Sequence, residues 1–389
     1  MKVVNSGNTY QIYDDTLRTY DQLPPQTYVV RFSQAYGFLL ELNEDIKVDE
    51  KIYGVHMQKV DKVMRSFNEF NRNLGVILSG AKGIGKSVCA KLIAERAVAE
   101  GYPVIKVTEY VKGIANFLSE IKQEVVIVFD EFDKTFASKR HGNDDDVTDA
   151  QAELLTLLDG MEQGKKLFIV TCNSLDKLNE FMVNRPGRFH YHFRFGYPNP
   201  AEIREYMQDK LDMKFWGEID KVINFSSKVD LNYDCLRSIA WELSHGYSFE
   251  SSIQDLNIIN IERERYKIQV VFSDGTKTQT REQYLDLFDS DSEVEVELKY
   301  MNKGSVYVTF NPIHGNYNTT LGATVVDGSK VKDVQWYLYN DDTDIDDDDT
   351  EIEKAKKREE SAENERIKAL HVEYIVITRK YDKNIHYMV

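Results

Sequence analysis

The stretch LGVILSGAKGIGKSVCAKLIAERAVAEG, residues 74–101, constrains the fold more than any other part of the chain. It opens with a short, unbroken apolar run, the pattern of a strand buried on both faces. A glycine-rich turn follows, and then a helical stretch that stops at Gly101. The turn and helix start, GAKGIGKS at 80–87, satisfy G-x-x-x-x-G-K-[ST] in the strand-to-helix context that gives this spacing its meaning. Glycines bend such a loop until its backbone N–H groups face a phosphate, and the helix dipole adds positive potential there. Lys86 supplies a point charge for the β- and γ-phosphates of ATP, and Ser87 a hydroxyl for Mg2+. Gly80, Ala81, Lys82, Gly83, Ile84, Gly85, Lys86 and Ser87 are therefore the candidate nucleotide-binding residues.

Three further near-continuous apolar runs, PVIKV (103–107), EVVIVFDE (124–131) and KKLFIVTCN (165–173), alternate with helical stretches. That alternation predicts a parallel sheet with helices on both faces. The run at 124–131 ends in Asp130 and Glu131. At a strand end these carboxylates suit two tasks: Asp130 holding Mg2+ through water, and Glu131 polarising an attacking water. Asp133 reads as a local cap or pairing partner.

Around this core the text changes twice. Residues 1–50 read as strands punctuated by Gly37 and by Pro24-Pro25, and 56–71 as a helix with apolar residues at three and four. Residues 199–265 keep a helical period. From 266 the pattern alternates with Gly, Asp and Asn turns, broken by an acidic run at 341–349 and a charged helix at 351–370. The expected organisation is an N-terminal β-rich region (1–50), an α/β nucleotide-binding core (51–197), an all-helical segment (198–265) and a C-terminal, mainly β domain (266–389).

The series GAKGIGKS, FDEFDK, LLTLLDG (154–160), LFIVTCN ending in Asn173, and NRPGRF (184–189) resembles the AAA+ ATPase family, in the clade that carries the second region of homology. The resemblance covers about residues 50–262 and implies the P-loop AAA+ fold, with 198–265 as its lid. It also implies roles. Asn173 falls at sensor 1, which orients the attacking water. Arg185 and Arg188 match the two arginines that point into a neighbouring subunit's ATP site, although Phe189-His190 lacks the family's usual Asp. Gly54, in IYG, falls where the linker meets adenine. Arg237, in DCLR, is either a sensor 2 phosphate contact or a surface lid residue. Tyr110 and Val111 of TEYVKG fall in the interval of the substrate-gripping pore loop; Tyr110 either serves there or packs on the sheet edge. A second central loop is expected at SKRHGNDDD (138–146).

Charge separates the function classes this leaves. The 49 basic and 65 acidic residues give a net charge of −16, which argues against a sequence-blind hold on duplex DNA. Lys139 and Arg140 are the one nucleic-acid handle near the expected axis. The leading expectation is a ring, expected as a hexamer, that uses ATP and Mg2+ to remodel or translocate a protein. The alternative is a nucleic-acid-linked motor such as a loader or a packaging accessory. Cys89, Cys172 and Cys235 show no metal-binding spacing, and no apolar stretch is long enough for a signal peptide or a membrane span. A cytoplasmic protein is expected, in the host cytoplasm if the source is a phage.

Overall fold

The computed structural model describes residues 1–44, 46–136, 150–159, 164–179, 181–183, 185–258, 265–285, 287, 293–318, 320–339 and 350–380. The expected loop at 138–146 and the acidic run at 341–349 lie outside these residues. The chain forms two compact units, Met1–Pro198 and Asn199–Val389.

In the first unit, the strands β1 (Lys2–Ser6) and β2 (Thr9–Tyr13) form a hairpin of their own. A seven-stranded sheet then collects β3 (Thr27–Ser33), β4 (Gly37–Leu42), β5 (Leu74–Ser79), β6 (Val104–Val107), β7 (Val125–Phe129), β8 (Lys166–Cys172) and β9 (Tyr191–Arg194). Its order is β4-β3-β6-β7-β8-β5-β9, parallel except for the β3–β4 hairpin. Side chains alternate across it. Ile77, Ile105, Ile127, Phe168 and Val170 enter one core, beneath α3 (Ile114–Ser119) and α5 (Ala150–Asp159). Val76, Leu78, Val126, Val128 and Ile169 enter the other, beneath α1 (His56–Glu69) and α2 (Lys86–Ala99). One further turn of helix, α4 (Phe132–Thr135), follows β7.

The N-terminal segment differs from its expectation as a region apart. Thr27, Tyr28, Val29 and Val30 are all buried, because β3 pairs in parallel with β6 and is covered on both faces. Residues 27–42 thus extend the core sheet by two strands. Phe38 of β4 stacks on Phe117 of α3 at 5.3 Å.

The second unit begins with the helices α6 (Pro200–Lys210), α7 (Ile219–Ser226), α8 (Tyr233–Ser244) and α9 (Phe249–Asp255). A capping box between Asn199 and Glu202, with Pro200 in the first turn, starts α6. The strands follow: β10 (Arg265–Phe272), β11 (Lys277–Gln279), β12 (Gln283–Tyr284), β13 (Val294–Tyr300), β14 (Gly304–Phe310), β15 (Asn316–Asn318), β16 (Ala323–Asp327), β17 (Val331–Leu338) and, after the helix α10 (Glu351–Lys368), β18 (Val372–Arg379). They make a six-stranded and a three-stranded sheet around one core that includes Ile268, Phe272, Val306, Phe310 and Ile375. The helices and strands, expected as two domains, are joined here. Arg379 pairs with both carboxylate oxygens of Asp230 at 2.6 and 3.0 Å, and the Tyr317 amide donates to Asn224 Oδ1 at 3.0 Å.

Candidate functional site

The sheet order decides what can meet. Strand β8 lies between β5, which leads into the glycine loop, and β7, which ends at Asp130. Whatever projects from the C-terminal end of β8 therefore faces both. Asn173, just past that end, accepts a hydrogen bond from Lys86 Nζ at 3.0 Å through Oδ1. On the other side, Asp130 Oδ1 accepts from Ser87 Oγ at 3.2 Å and from Thr171 Oγ1 at 2.6 Å. The Thr171 hydroxyl in turn accepts the Glu131 amide at 2.8 Å.

The loop that carries Lys86 depends on two of its glycines. Gly80 has φ +143, and a Cβ there would stand 2.3 Å from the Phe195 carbonyl oxygen. Gly85 has φ +94, and a Cβ there would stand 2.5 Å from His56 Nε2. His56 is buried, its ring lies 5.0 Å from that of Phe195, and its Nδ1 donates to the Tyr53 carbonyl at 2.9 Å. Nε2, the acceptor in that tautomer, is buried against Gly85 without a hydrogen-bond partner. Gly54, at φ +70, turns the chain between Tyr53 and α1.

Lys86 is buried and also donates to the carbonyls of Gly80, at 2.7 Å, and Ala81. Burial lowers its pKa from the usual lysine value, while the carboxylates of Asp133, Asp130 and Glu131 pull the other way. Burial also pushes the Cys172 thiol up to about 12, so it stays neutral. Glu131 sits at φ +48, in the left-handed region that non-glycine residues seldom adopt. Its Oε1 pairs with Lys134 Nζ at 2.5 Å. Asp133, expected to cap or pair locally, is instead only 2% exposed, and its Oδ1 lacks a hydrogen-bond partner.

Among the described residues, no group of three or more His, Cys, Asp or Glu side chains could hold a metal ion. Ser87 Oγ and Asp130 Oδ1 are nevertheless adjacent hard oxygens. Mg2+ characteristically takes one or two protein oxygens and completes its shell with phosphate and water, so this pair fits it.

The other candidates each have contacts of their own. Arg188 grips Asp159, and Arg185 is exposed with its guanidinium 5.3 Å from the Phe181 ring centre. Tyr110 packs on Phe136 at 5.5 Å and donates to Glu153 Oε2 at 2.7 Å, which favours the packed reading over an open pore position. Arg237 lies on α8 in the second unit, 4.0 Å from Asp234. Thr171, Lys134 and His56 are the neighbours that sequence reasoning missed. Only Thr171 left a signal there: it stands two residues before Asn173, hence on the same face of the strand.

The family model for ATPases associated with various cellular activities (AAA) matches residues 76–197. Residues 76–197 of this chain are an AAA ATPase domain. Proteins similar to it include the 26S proteasome regulatory subunit 7 homolog of Schizosaccharomyces pombe, 32% identical over 138 residues, or 32% of this chain and 31% of that protein. An AAA ATPase forming ring-shaped complexes, from Kocuria rhizophila, is 30% identical over 158 residues, covering 34% of this chain and 28% of its own length. Protein CdcH of Halobacterium salinarum is 30% identical over 149 residues, covering 34% and 19%. The match thus spans less than a third of each of these relatives.

Proposed function

We propose that this chain is an ATP-hydrolysing motor that assembles as a ring, a hexamer, and remodels or translocates a protein substrate. The observation that carries the reading is the convergence on β8: Asn173 meets Lys86, while Thr171 and Ser87 meet Asp130. In this reading Lys86 and the N–H groups of residues 80–87 hold the phosphates, and Ser87 and Asp130 hold Mg2+. When bound, Mg2+ offsets the charge of the β- and γ-phosphates. Asn173 orients the attacking water, and Glu131 takes its proton once the carboxylate turns from Lys134.

Two of the relatives support the ring and the class of client. The Kocuria relative is described as forming ring-shaped complexes, and the fission yeast relative as a proteasome regulatory subunit. The net charge of −16 weighs against the nucleic-acid reading.

The test is a pair of variants. Lys86→Ala is expected to lose ATP binding. Glu131→Gln is expected to keep binding within about threefold while kcat falls by at least ~10²-fold. Hydrolysis by Glu131→Gln at the wild-type rate would remove the base from this scheme.

A further inference from the structure

Thr171 is the residue before the last in β8 and is 1% exposed. Its hydroxyl has one proton and two lone pairs to give. Asp130 Oδ1, 2.6 Å away, can only accept from it, and the Glu131 amide, 2.8 Å away, can only donate to it. The direction of both bonds is therefore settled by chemistry. One buried hydroxyl joins the side chain of Asp130 to the backbone of Glu131.

That backbone is the unusual part. Among the described residues, Glu131 and Met301 are the non-glycine residues at positive φ. Strained conformations of this kind persist when neighbouring groups over-determine them. At Glu131 the amide bond to Thr171 is such a restraint, and it acts where β7 ends and α4 begins. The second bond restrains the Asp130 carboxylate, whose other contact at Oδ1, from Ser87 Oγ, is longer at 3.2 Å.

We propose that Thr171 is a positioning residue for hydrolysis: its hydroxyl sets the orientation of the Asp130 carboxylate and holds Glu131 in the conformation that presents its own. The proposal rests on the roles given above to Asp130 and Glu131. Valine at 171 fills nearly the same volume but can neither donate to Asp130 nor accept from Glu131. Serine can do both.

The test compares Thr171→Val with Thr171→Ser in the full chain. Hydrogen exchange at the Glu131 amide, followed without nucleotide, reads the restraint directly. It is expected to speed up about tenfold or more in the valine variant and to stay near wild type in the serine variant. The dissociation constant for ATP is expected to move less than about threefold in both, because the Thr171 hydroxyl bonds Asp130 and Glu131 and not a residue of the glycine loop. The kcat is expected to fall about 10- to 100-fold for valine, the range seen when an outer partner of a functional group is removed, and to recover with serine. A valine variant with wild-type kcat, or with unchanged exchange at Glu131, overturns the proposal. So does a serine variant as impaired as valine. Should the valine chain fail to fold, Thr171→Ala replaces it, with the same ordering expected. Glu131→Gln, run in parallel, keeps the two ideas apart. If it turns over normally, the hydrolytic scheme fails; if it is inactive while the hydroxyl-free variant is normal, only Thr171's role fails.

Discussion

Arg188 holds the carboxylate of Asp159 through two guanidinium nitrogens, Nε on Oδ1 and Nη2 on Oδ2 at 2.6 Å, while Nη1 donates to the Phe181 carbonyl at 3.0 Å. The Arg188 side chain is 10% exposed. Its hydrogen bond to Asp159 raises its own pKa and lowers that of Asp159, the usual sign of a bidentate pair. Within one subunit, then, the two arginines of the RPGR segment are unequal. Arg188 ties α5 to the segment between β8 and β9, and Arg185 stands exposed.

That asymmetry predicts unequal variants. Arg188→Ala strips a half-exposed carboxylate of its partner and should lower the unfolding free energy by about 1–3 kcal/mol. Arg185→Ala gives up an exposed cation–π contact and a minor charge interaction with Asp159, and should stay within about 1 kcal/mol of wild type. Urea titrations of the two variants, alongside Asp159→Asn, measure this. Equal stability losses would contradict the assignment of Arg188 to the subunit's own structure.

A pH dependence follows from His192, whose Nε2 lies 2.6 Å from Ser79 Oγ. Burial, helped by the charge of Arg194, brings its pKa down to about 4. The folded value is below the unfolded one near 6.5, so between these the unfolded chain binds more protons and stability rises with pH. The contribution is fully present above pH 6.5 and is lost as pH falls towards 4. Allowing for partial exposure, it amounts to roughly 1–2 kcal/mol. His192→Gln should show a flatter dependence over that window in denaturant melts; an unchanged slope would assign the acid sensitivity to other groups.

In the second unit, Asp230→Ala removes the carboxylate that meets both terminal nitrogens of Arg379, whose side chain is 6% exposed. A buried guanidinium deprived of its bidentate partner is expected to cost about 3 kcal/mol. Thermal unfolding of residues 199–389 within the full chain should register the loss. A shift confined to the first unit would contradict the joining of helices and strands described above.

The nucleotide loop was legible because its signals are local: an apolar strand, glycines at fixed offsets, and a helix that starts at Lys86. Asp130, Glu131 and Asn173 were legible for the same reason, each ending or following an apolar run. Thr171 was half-legible. Period two puts it on the face of Asn173, but only the strand order brings it to Asp130. The route of residues 27–42 was not legible, since a buried TYVV run does not name the strand it will pair with. Nor was the Asp159–Arg188 pair, which joins residues 29 positions apart with all of β8 between them. The joining of α7 to β15 escaped too, because Asn224 and Tyr317 meet across 93 positions.

We propose that in such a ring ATP is hydrolysed at sites shared between subunits, with Arg185 acting on a neighbour's nucleotide. A finger of this kind has catalytic value only where another copy docks against it, and a head-to-tail contact closes as a ring. The direct measurement is ATPase activity on mixing Arg185→Ala subunits with Lys86→Ala subunits, each inactive alone. Some interfaces of a mixed ring carry an intact Lys86 on one side and an intact Arg185 on the other, so partial recovery of hydrolysis is predicted. Absence of any recovery, in mixtures shown by sizing and crosslinking to contain both kinds of subunit in one ring, would contradict it.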